Sequence, residues 1–369
     1  MTAAANTALW VLTPGGLVLA RRLGRQLPGS RRFVSENLAA EAGEAQRFAR
    51  LKPAVAKRFH QFQGHVFFMS AGIVVRMIAP LIADKTVDPA VVVVDDQGRH
   101  AISLLSGHLG GANDLCRAVA AALESRPVIT TATDLHGVPA VELMAKEKGL
   151  AIENPAAIKH VSMALLAGET VVLSDPYRLL ADRPPSWAVD ISEGTGDETG
   201  LDPVGIVVDD RVRPAGRRTL VLRPATLAVG MGCNRGTSVE ALEASLLRAL
   251  ERFHLAPAGL ACLASIDLKS DEAGLLALAE KWQRPLRFFS REQLKQVGSV
   301  PNPSPQVEKH VGVDSVCEAA AILAARGGRL IVPKQRTPDT TVAVARIGSI
   351  SWASDPATPA ACRPEPSRS

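Results

Sequence analysis

The sequence predicts an α/β protein, with two α/β domains of mostly parallel sheets joined by a smaller middle segment. Its 369 residues exceed one ordinary compact domain, so two or three domains are expected. Hydrophobic residues make up 47% of the chain but aromatic residues only 4%, so Val, Leu, Ile and Ala must build the cores. This composition is typical of parallel strands covered by Ala-rich helices. A strand, a glycine turn and a helix follow one another near both ends of the chain, which favours the same class.

The first domain is expected to span residues 1–135. It opens with strand Ala8–Thr13, a turn at Pro14-Gly15-Gly16 and a helix that ends at Pro28-Gly29. The β-branched run Val91–Val94 predicts a buried strand, and the turn residues after it predict a hairpin with Ala101–Leu105. The other predicted elements are strand His65–Met69, helix Ile73–Ile82, a helix from about Asn113 to Glu124 and strand Pro127–Thr131.

The middle segment, residues 136–224, is expected to carry a helix near Pro155–Ala167 and strands Glu169–Leu173 and Leu220–Leu222. Residues 182–204 are rich in Pro, Gly, Asp, Glu and Ser without periodicity, which predicts a long loop or linker. Residues 349–369 form a tail rich in Pro, Ala and Ser, which is expected to be disordered.

The last domain, residues 225–348, repeats the α/β order. Strand Leu227–Gly230 leads into loop Met231–Gly236, and Thr237–Glu240 is predicted to form a capping box that opens a helix to about Phe253. The other predicted features are a helix capped by Ser270, capping boxes Ser290–Gln293 and Ser315–Glu318, helix Val316–Ala325, and strands Gly259–Ser265, Leu286–Phe289, Leu330–Val332 and Thr341–Ala345.

Composition excludes several classes of function. The net charge is +5, which is typical of a mixed solvated surface, or of a protein with an anionic small-molecule ligand. A single Tyr and no dense basic stripe argue against nucleic-acid binding. No stretch approaches the ~20 apolar residues of a membrane helix. The five cysteines form no CxxC, so neither a zinc site nor a disulfide framework is indicated, and a reducing cytoplasm is expected.

The segment Ser106–Asp114 joins a predicted strand to a predicted helix. Its three glycines, Gly107, Gly110 and Gly111, let the backbone approach a ligand closely, and the helix start favours an anion there. The segment matches neither a Walker loop nor a GxGxxG fingerprint. A packing device is the alternative, but a tight turn needs neither His108 nor Asn113, so a ligand site is favoured.

The run Thr130-Thr131-Ala132-Thr133-Asp134 follows the next strand. Because the carboxyl ends of parallel strands meet at one edge of a sheet, this run is expected to lie beside the glycine loop. Its three hydroxyls and its carboxylate suit hydrogen bonds to a polar ligand. A loop capped by Asp134 is an equally good interpretation.

Charged side chains supply further candidate ligand contacts. They are Arg76 and Lys85 in the first domain, Arg235 at a helix N-terminus and Asp267 and Lys269 at a strand end of the last domain, and Lys334 after strand Leu330–Val332. A period of two would point Asp267 and Lys269 the same way. Solvated or salt-bridged surface charges are the alternative for each.

These motifs together resemble the CbiG family of cobalamin-biosynthesis proteins over nearly the whole chain. In the first domain the likeness rests on Gly72–Arg76, Ala79–Leu81, Asp84-Lys85, Asp88–Val91, Leu104–His108, Gly110–Asn113 and Thr130–Asp134. In the last domain it rests on Gly230–Thr237, Ala264–Lys269, Asp271-Glu272, Gly312-Val313, Ser315–Ala320 and Pro333-Lys334. One departure is Glu142, which stands where the resemblance leads us to expect Asp.

The resemblance implies a cobalt-precorrin 5A hydrolase of anaerobic cobalamin (vitamin B12) biosynthesis. Such an enzyme opens the δ-lactone of a cobalt tetrapyrrole with water and releases the extruded bridging carbon and its methyl as acetaldehyde, giving cobalt-precorrin 5B. The substrate carries the cobalt, so no cofactor of the protein's own is expected. Its acetate and propionate arms make it a polyanion, which suits the cationic candidates named above. The resemblance also implies a transient handover to neighbouring pathway enzymes.

Lactone opening needs a base and donors for an oxyanion. Loop chemistry makes His108 the candidate base, and the amides of Gly110 and Gly111 with Asn113 the candidate donors. Two alternatives remain open. One is a non-catalytic tetrapyrrole carrier or chaperone, since the last domain alone also resembles CobE. The other is a nucleotide-binding α/β enzyme, for which the chain lacks a phosphate motif.

Overall fold

The computed structural model describes residues 6–41, 45–84, 87–180, 185–191, 203–297 and 315–348. The chain divides into two compact units, residues 1–144 and 145–369. Three sheets flanked by helices, in which most strand pairs are parallel, confirm the predicted α/β class. In the third sheet the parallel and antiparallel pairs are equal in number. The predicted domain boundaries stay a prediction, and the tail expected to be disordered lies outside the described residues. No helix in the described ranges has the length and apolar character needed to cross a membrane.

The first unit is built on a seven-stranded sheet. Its strands are β1 (Thr7–Val11), β2 (Arg31–Ser35), β3 (Gln46–Phe48), β4 (Gly64–Phe68), β5 (Ala90–Val94), β6 (His100–Leu105) and β7 (Arg126–Val128), in the order β3-β2-β1-β4-β5-β6-β7. Its helices are α1 (Pro14–Gln26), α2 (Leu51–Arg58), α3 (Ala71–Ile78), α4 (Ala112–Leu123), α5 (Ala132–Leu135) and α6 (Val141–Glu147). Leu17 of α1 and Leu115 of α4 pack on one face of the sheet, and Val55 of α2 and Val74 of α3 on the other.

One reversal of strand direction places the candidate site. Strands β1 to β5 are mutually parallel, β5 and β6 form the predicted antiparallel hairpin, and β6 and β7 are parallel to each other. The carboxyl ends of β6 and β7 therefore lie at the edge where β5 begins. A Cβ atom on Gly110, which follows β6, would lie 3.2 Å from the carbonyl oxygen of Asp88, which precedes β5.

The predicted turn at Pro14-Gly15-Gly16 is wrong, because these residues form the first turn of α1. The Thr13 hydroxyl accepts a hydrogen bond from the Gly16 amide at 3.1 Å and caps the helix. A proline at the first helical position lacks an N–H that would have no partner there, so it starts the helix without cost.

The second unit opens with the middle segment, which has a sheet of its own. Its strands are β8 (Ala151–Ile152), β9 (Val171–Ser174), β10 (Ala188–Asp190), β11 (Gly205–Val208) and β12 (Thr219–Arg223), in the order β10-β9-β11-β12-β8, with helix α7 (Ile158–Leu166). The expectation of a loop throughout 182–204 is wrong at Ala188–Asp190, which pairs in parallel with β9. Much of the rest of that loop lies outside the described residues.

The other sheet of the second unit holds β13 (Leu227–Cys233), β14 (Leu260–Ile266), β15 (Leu286–Phe289), β16 (Arg329–Arg336) and β17 (Thr340–Arg346), in the order β15-β14-β13-β17-β16. Helices α8 (Val239–Arg252) and α9 (Ala273–Lys281) pack on one face. Helices α10 (Arg291–Lys295) and α11 (Val316–Ala324) pack on the other. A Cβ atom on Gly230 would lie 1.8 Å from the carbonyl oxygen of Cys317, so this glycine lets α11 approach the strand.

Several local predictions in the last domain are wrong. Pairing with β17 extends β13 through Cys233, so Met231–Cys233 are strand and not loop. The cap of α8 is Ser238, whose hydroxyl accepts from the Ala241 amide, and Glu272, not Ser270, precedes α9. Ser315 precedes α11 without a side-chain cap, because its hydroxyl contacts the Cys317 sulfur. The capping box at Ser290–Gln293 is confirmed.

Candidate functional site

The loop after β6 is closed by its own backbone. The Gly111 amide donates to the His108 carbonyl at 2.8 Å, and the Ala112 and Asn113 amides donate to the Ser106 and Gly107 carbonyls, both at 3.0 Å. The first amides of α4 are therefore used inside the loop. The Gly111 amide, part of the predicted anion cradle, therefore has no free hydrogen to offer a ligand. At Ser106 and Gly107 the loop uses the carbonyl groups and not the amides, so their predicted role in substrate binding stays a prediction. The Gly110 amide alone among the predicted oxyanion donors has no partner in the described part of the chain.

The glycines of the loop have packing roles. A Cβ atom on Gly110 would lie 2.3 Å from the Ser106 Cβ, and one on Gly107 would lie 2.9 Å from Oδ1 of Asn113. Gly111 has φ +84° and Ser106 has φ +59°, so both take the left-handed backbone conformation at the turn. The buried Ser106 hydroxyl has no hydrogen-bond partner among the described residues. The packing interpretation of the glycines is favoured.

His108 lies between two carboxylates and a hydroxyl. Its Nδ1 is 2.7 Å from Oε1 of Glu142, and its Nε2 is 2.9 Å from Oγ1 of Thr133 and 3.3 Å from Oδ2 of Asp134. The side chain of Glu142 is 7% exposed, whereas that of His108 is 21% exposed. The imidazole is thus anchored on its Nδ1 side by a nearly buried carboxylate, contacts Thr133 and Asp134 on its Nε2 side, and remains partly exposed to solvent. The predicted proximity of the glycine loop to Thr130–Asp134 is present in the geometry.

Asp134 is held by three donors. Oδ2 accepts from the Thr131 hydroxyl at 2.6 Å and from Nδ2 of Asn113 at 2.8 Å, and Oδ1 accepts from Nη2 of Arg117. Burial alone would raise the pKa of Asp134, but the Thr131 hydrogen bond and the Arg117 contact outweigh it and lower the pKa. Asp134 is therefore a carboxylate at neutral pH.

The protonation of His108 follows from these neighbours. The hydrogen bond to Glu142 is the largest cause that raises its pKa; burial opposes it, and the charges of Glu142 and Asp134 add to the rise. In a neutral imidazole with its proton on Nδ1, the lone pair of Nε2 would face the Asp134 carboxylate. An imidazolium instead donates a hydrogen bond to each of the two carboxylates. The site therefore favours the protonated form of His108.

The structure contradicts the prediction of Asn113 as an oxyanion donor. Asn113 is 3% exposed, and its two Nδ2 hydrogens go to Asp134 and to Oγ1 of Thr131, the latter at 2.9 Å. Its Oδ1 accepts from the Ser103 hydroxyl at 2.7 Å. An amide with every hydrogen in use has none for a substrate, so Asn113 positions Asp134 and the loop.

Sequence reasoning missed Glu142, Arg117 and Ser103 as members of the site. Glu142 was noted only as a departure from a family pattern, and it lies 34 residues from His108. Arg117 carried a signal that could have been used, because it lies four residues after Asn113 and so shares a face of α4 with it.

Among the described residues, the other first-unit candidates for substrate binding make no hydrogen bond or ion pair with His108. The Arg76 guanidinium is exposed and donates to the carbonyl of Gly72 in its own helix at 3.0 Å. Thr130 is exposed. Lys85 lies outside the described residues. Their predicted role in substrate binding stays a prediction.

The candidates of the second unit make ion pairs or hydrogen bonds with neighbouring residues. Nη1 of Arg235 donates to Asp271 at 2.6 Å, and Nζ of Lys269 donates to the buried Glu272 at 3.1 Å. This geometry favours the salt-bridged loop that was the alternative interpretation.

The predicted positions of Asp267, Lys269 and Lys334 relative to the strands are wrong. Asp267 and Lys269 belong to a 3₁₀ turn closed by the Ser270 amide, so a period of two does not apply to them. Lys334 lies inside β16 and not after a strand, because β16 continues past an irregularity to Arg336.

Burial raises the pKa of the Cys233 thiol, which argues for a structural role of this cysteine.

Among the described residues, no three His, Cys, Asp or Glu side chains are arranged to hold a metal ion. The described cysteines Cys116, Cys233, Cys262 and Cys317 are free thiols.

Three family models match successive parts of the chain. They are described as Cobalamin synthesis G N-terminal (residues 53–134), Cobalamin biosynthesis central region (residues 139–224) and Cobalamin synthesis G C-terminus (residues 227–345). A protein of Priestia megaterium named cobalt-precorrin-5A hydrolase is 33% identical over 94% of this chain and 96% of its own length. The chain belongs to the CbiG family. This confirms the resemblance inferred from the motifs.

A second relative agrees with membership of this family. A Salmonella typhimurium protein, also named cobalt-precorrin-5A hydrolase, is 35% identical over 87% of this chain and 92% of its own. The crystal structure of CobE, a protein from the cobalamin (vitamin B12) biosynthetic pathway, shares 38% identity, covers 33% of this chain and 89% of CobE, and has a TM-score of 0.32. As a member of the CbiG family with these full-length relatives, the chain acts in cobalamin biosynthesis.

Proposed function

We propose that this member of the CbiG family is a cobalt-precorrin 5A hydrolase. It opens the δ-lactone of cobalt-precorrin 5A with water and releases acetaldehyde, which leaves cobalt-precorrin 5B. The names of its relatives support this assignment at the level of the whole chain. The observation that carries it at the level of chemistry is His108, which is anchored by Glu142 at 2.7 Å and remains partly open to solvent.

The site offers what ester cleavage requires. A proton must pass to or from the reacting oxygens, and an imidazole within hydrogen-bond reach of the bond performs this transfer. The Gly110 amide is the remaining donor for the oxyanion of the carbonyl. The cobalt arrives as part of the substrate, so we propose no cofactor of the protein's own. Release of acetaldehyde uses the conjugated macrocycle as an electron sink.

The surroundings of the reaction complete the proposal. The substrate is an anionic cobalt tetrapyrrole, and Arg76, Lys85, Arg235, Lys269 and Lys334 are its proposed carboxylate contacts. The second-unit cations would have to exchange their ion-pair or hydrogen-bond partners for those carboxylates. A cytoplasmic location and a transient handover to neighbouring pathway enzymes belong to the same proposal.

The test is an anaerobic reaction of the purified protein with cobalt-precorrin 5A. Acetaldehyde is measured by its reduction with NADH and alcohol dehydrogenase, and the corrinoid product by mass spectrometry. We expect acetaldehyde in equal amount to the substrate consumed. His100→Gln, at the other end of β6, is the matched control for His108→Gln. Binding of the substrate with no acetaldehyde from the wild type would instead indicate the carrier function.

A further inference from the structure

We infer that His108 uses one nitrogen, Nε2, for both halves of the reaction: it donates a proton to the ring oxygen of the lactone, and then takes the proton back from that same oxygen. The inference rests on the proposed function. The sequence led us to expect that His108 acts as a base that activates water. We infer instead that His108 acts as an acid in lactone opening and as a base in acetaldehyde release.

The two steps share an oxygen atom. Opening the lactone frees a hydroxyl on the bridging carbon, and acetaldehyde contains that carbon with its methyl. The oxygen of the released hydroxyl must therefore become the oxygen of the aldehyde. A single group placed at this oxygen is well positioned to give it a proton in the first step and to remove the proton in the second.

The contacts of His108 separate its two nitrogens. Nδ1 faces Glu142, whose side chain is nearly buried, at 2.7 Å, so the Nδ1 proton stays on that side throughout. Nε2 faces Thr133 Oγ1 at 2.9 Å and Asp134 at the longer distance of 3.3 Å. The Nε2 proton is thus the exchangeable one, and a substrate oxygen that binds beside it replaces a weaker contact.

The charges around His108 prepare it to act first as an acid. The groups that face it are Glu142 on α6 and Asp134 on α5, and Asp134 in turn pairs with Arg117 on α4, which also binds Asp114. Along this chain the charges alternate in sign when His108 is an imidazolium. The pKa of His108 is raised accordingly, first by the Glu142 hydrogen bond. The resting site therefore holds the proton that lactone opening consumes.

In the first step, water adds to the carbonyl carbon of the lactone and releases a proton to solvent. The bond from that carbon to the ring oxygen breaks, the ring oxygen keeps the electron pair, and Nε2 of His108 supplies its proton. The products are a carboxylic acid, which ionises, a free hydroxyl and a neutral imidazole. An alkoxide is a poor leaving group unless it is protonated as the bond breaks. The proton from His108 therefore assists the breaking of the bond between the carbonyl carbon and the ring oxygen.

In the second step, the neutral Nε2 removes the hydroxyl proton. The oxygen forms the carbonyl of acetaldehyde, the carbon–carbon bond to the macrocycle breaks, and its electron pair enters the conjugated ring. His108 is an imidazolium again, so the cycle closes without an external acid, oxidant or reductant.

The experiment separates the two steps with two substrates. Intact cobalt-precorrin 5A reports lactone opening as the mass gain of one water, and substrate opened beforehand in mild alkali reports acetaldehyde release alone. Wild type, His108→Gln and the control His100→Gln are compared on both. We expect His108→Gln to lose about 100-fold or more in each step and the control to lose neither.

The wild-type pH profiles give a readout that does not depend on the folding of a variant. Lactone opening should slow as pH rises through the pKa of His108, and acetaldehyde release from opened substrate should speed up through the same pKa. The inference is overturned if both profiles rise with pH, or if folded His108→Gln performs either step at the wild-type rate. No acetaldehyde from wild type on either substrate would reject the proposed function itself.

Discussion

Nδ1 of His108 lies 2.7 Å from Oε1 of Glu142, a residue on α6 that is 34 positions later in the chain. This contact anchors the imidazole on one side and leaves Nε2 as its exchangeable nitrogen. It is also the largest cause of the raised pKa of His108. The contact therefore sets both the orientation and the protonation of the residue on which the proposed chemistry depends.

Replacing Glu142 tests that relationship. Glu142→Gln removes the charge but keeps the length, so the pKa of His108 should fall and the pH limb of lactone opening should move to lower pH. Glu142→Asp keeps the charge, and it should retain much of the raised pKa. The measurement is the NMR titration of the His108 imidazole, assigned with His108→Gln. An unchanged pKa in Glu142→Gln would show that Glu142 has no part in setting it.

Asn113 provides a test of positioning against direct catalysis. In Asn113→Asp an oxygen replaces Nδ2, 2.8 Å from Oδ2 of Asp134, so two carboxylates face each other. We expect a loss of about 2 kcal/mol in unfolding free energy at neutral pH. Because protonation of one carboxylate relieves the repulsion, the loss should shrink at about pH 5. Thermal unfolding at both pH values checks this, with Asn113→Ala as the uncharged comparison; a pH-independent loss would contradict the geometry.

His65 makes the stability of the first unit depend on pH. It accepts from Nε1 of Trp10 at 3.0 Å and contacts the Phe59 carbonyl at 2.9 Å, and burial lowers its pKa from 6.5 to about 4. Between these pH values the unfolded chain takes up a proton and the folded chain does not, so stability falls as pH falls. The total is about 3 kcal/mol.

Denaturant titrations of the wild type between pH 7 and pH 4 measure this dependence. In His65→Gln the part of the slope due to His65 should disappear. His60→Gln, at an exposed neighbour that makes only the smallest contribution to the lowered pKa of His65, should keep most of the wild-type slope. Equal slopes in His65→Gln and wild type would show that another group titrates.

Asp210 and Arg346 join the two sheets of the second unit. Asp210 is fully buried and accepts two hydrogen bonds from the Arg346 guanidinium, each at 2.6 Å, and a third from the Thr226 hydroxyl. Asp210→Ala leaves a half-buried guanidinium without its carboxylate, which should cost about 3 kcal/mol in unfolding free energy. Thermal and urea unfolding measure the loss.

The control is Asp271→Asn, which breaks the exposed ion pair with Arg235 and should change the unfolding free energy little. An equal loss in both variants would show that burial does not make the Asp210–Arg346 pair more important for stability.

Local patterns predicted much of the fold. The apolar run Val91–Val94, the turn after it and the strand beyond it predicted the β5–β6 hairpin, because β-branched runs and turn residues act over a few positions. Capping patterns were less reliable: the box at Ser290–Gln293 is present, whereas Ser238 and not Thr237 caps α8. The choice among neighbouring capping residues depends on where tertiary packing starts the helix.

The sequence by itself determined the α/β class, the family and the proximity of the glycine loop to Thr130–Asp134, since parallel strands bring their carboxyl ends together whatever surrounds them. Only the tertiary structure decided that Glu142 anchors His108, that Asn113 has no hydrogen to spare, and that Arg235 pairs with Asp271. The physical reason is distance along the chain. A hydrogen bond between side chains 34 residues apart depends on how α6 packs against the loop, and no local pattern records that packing.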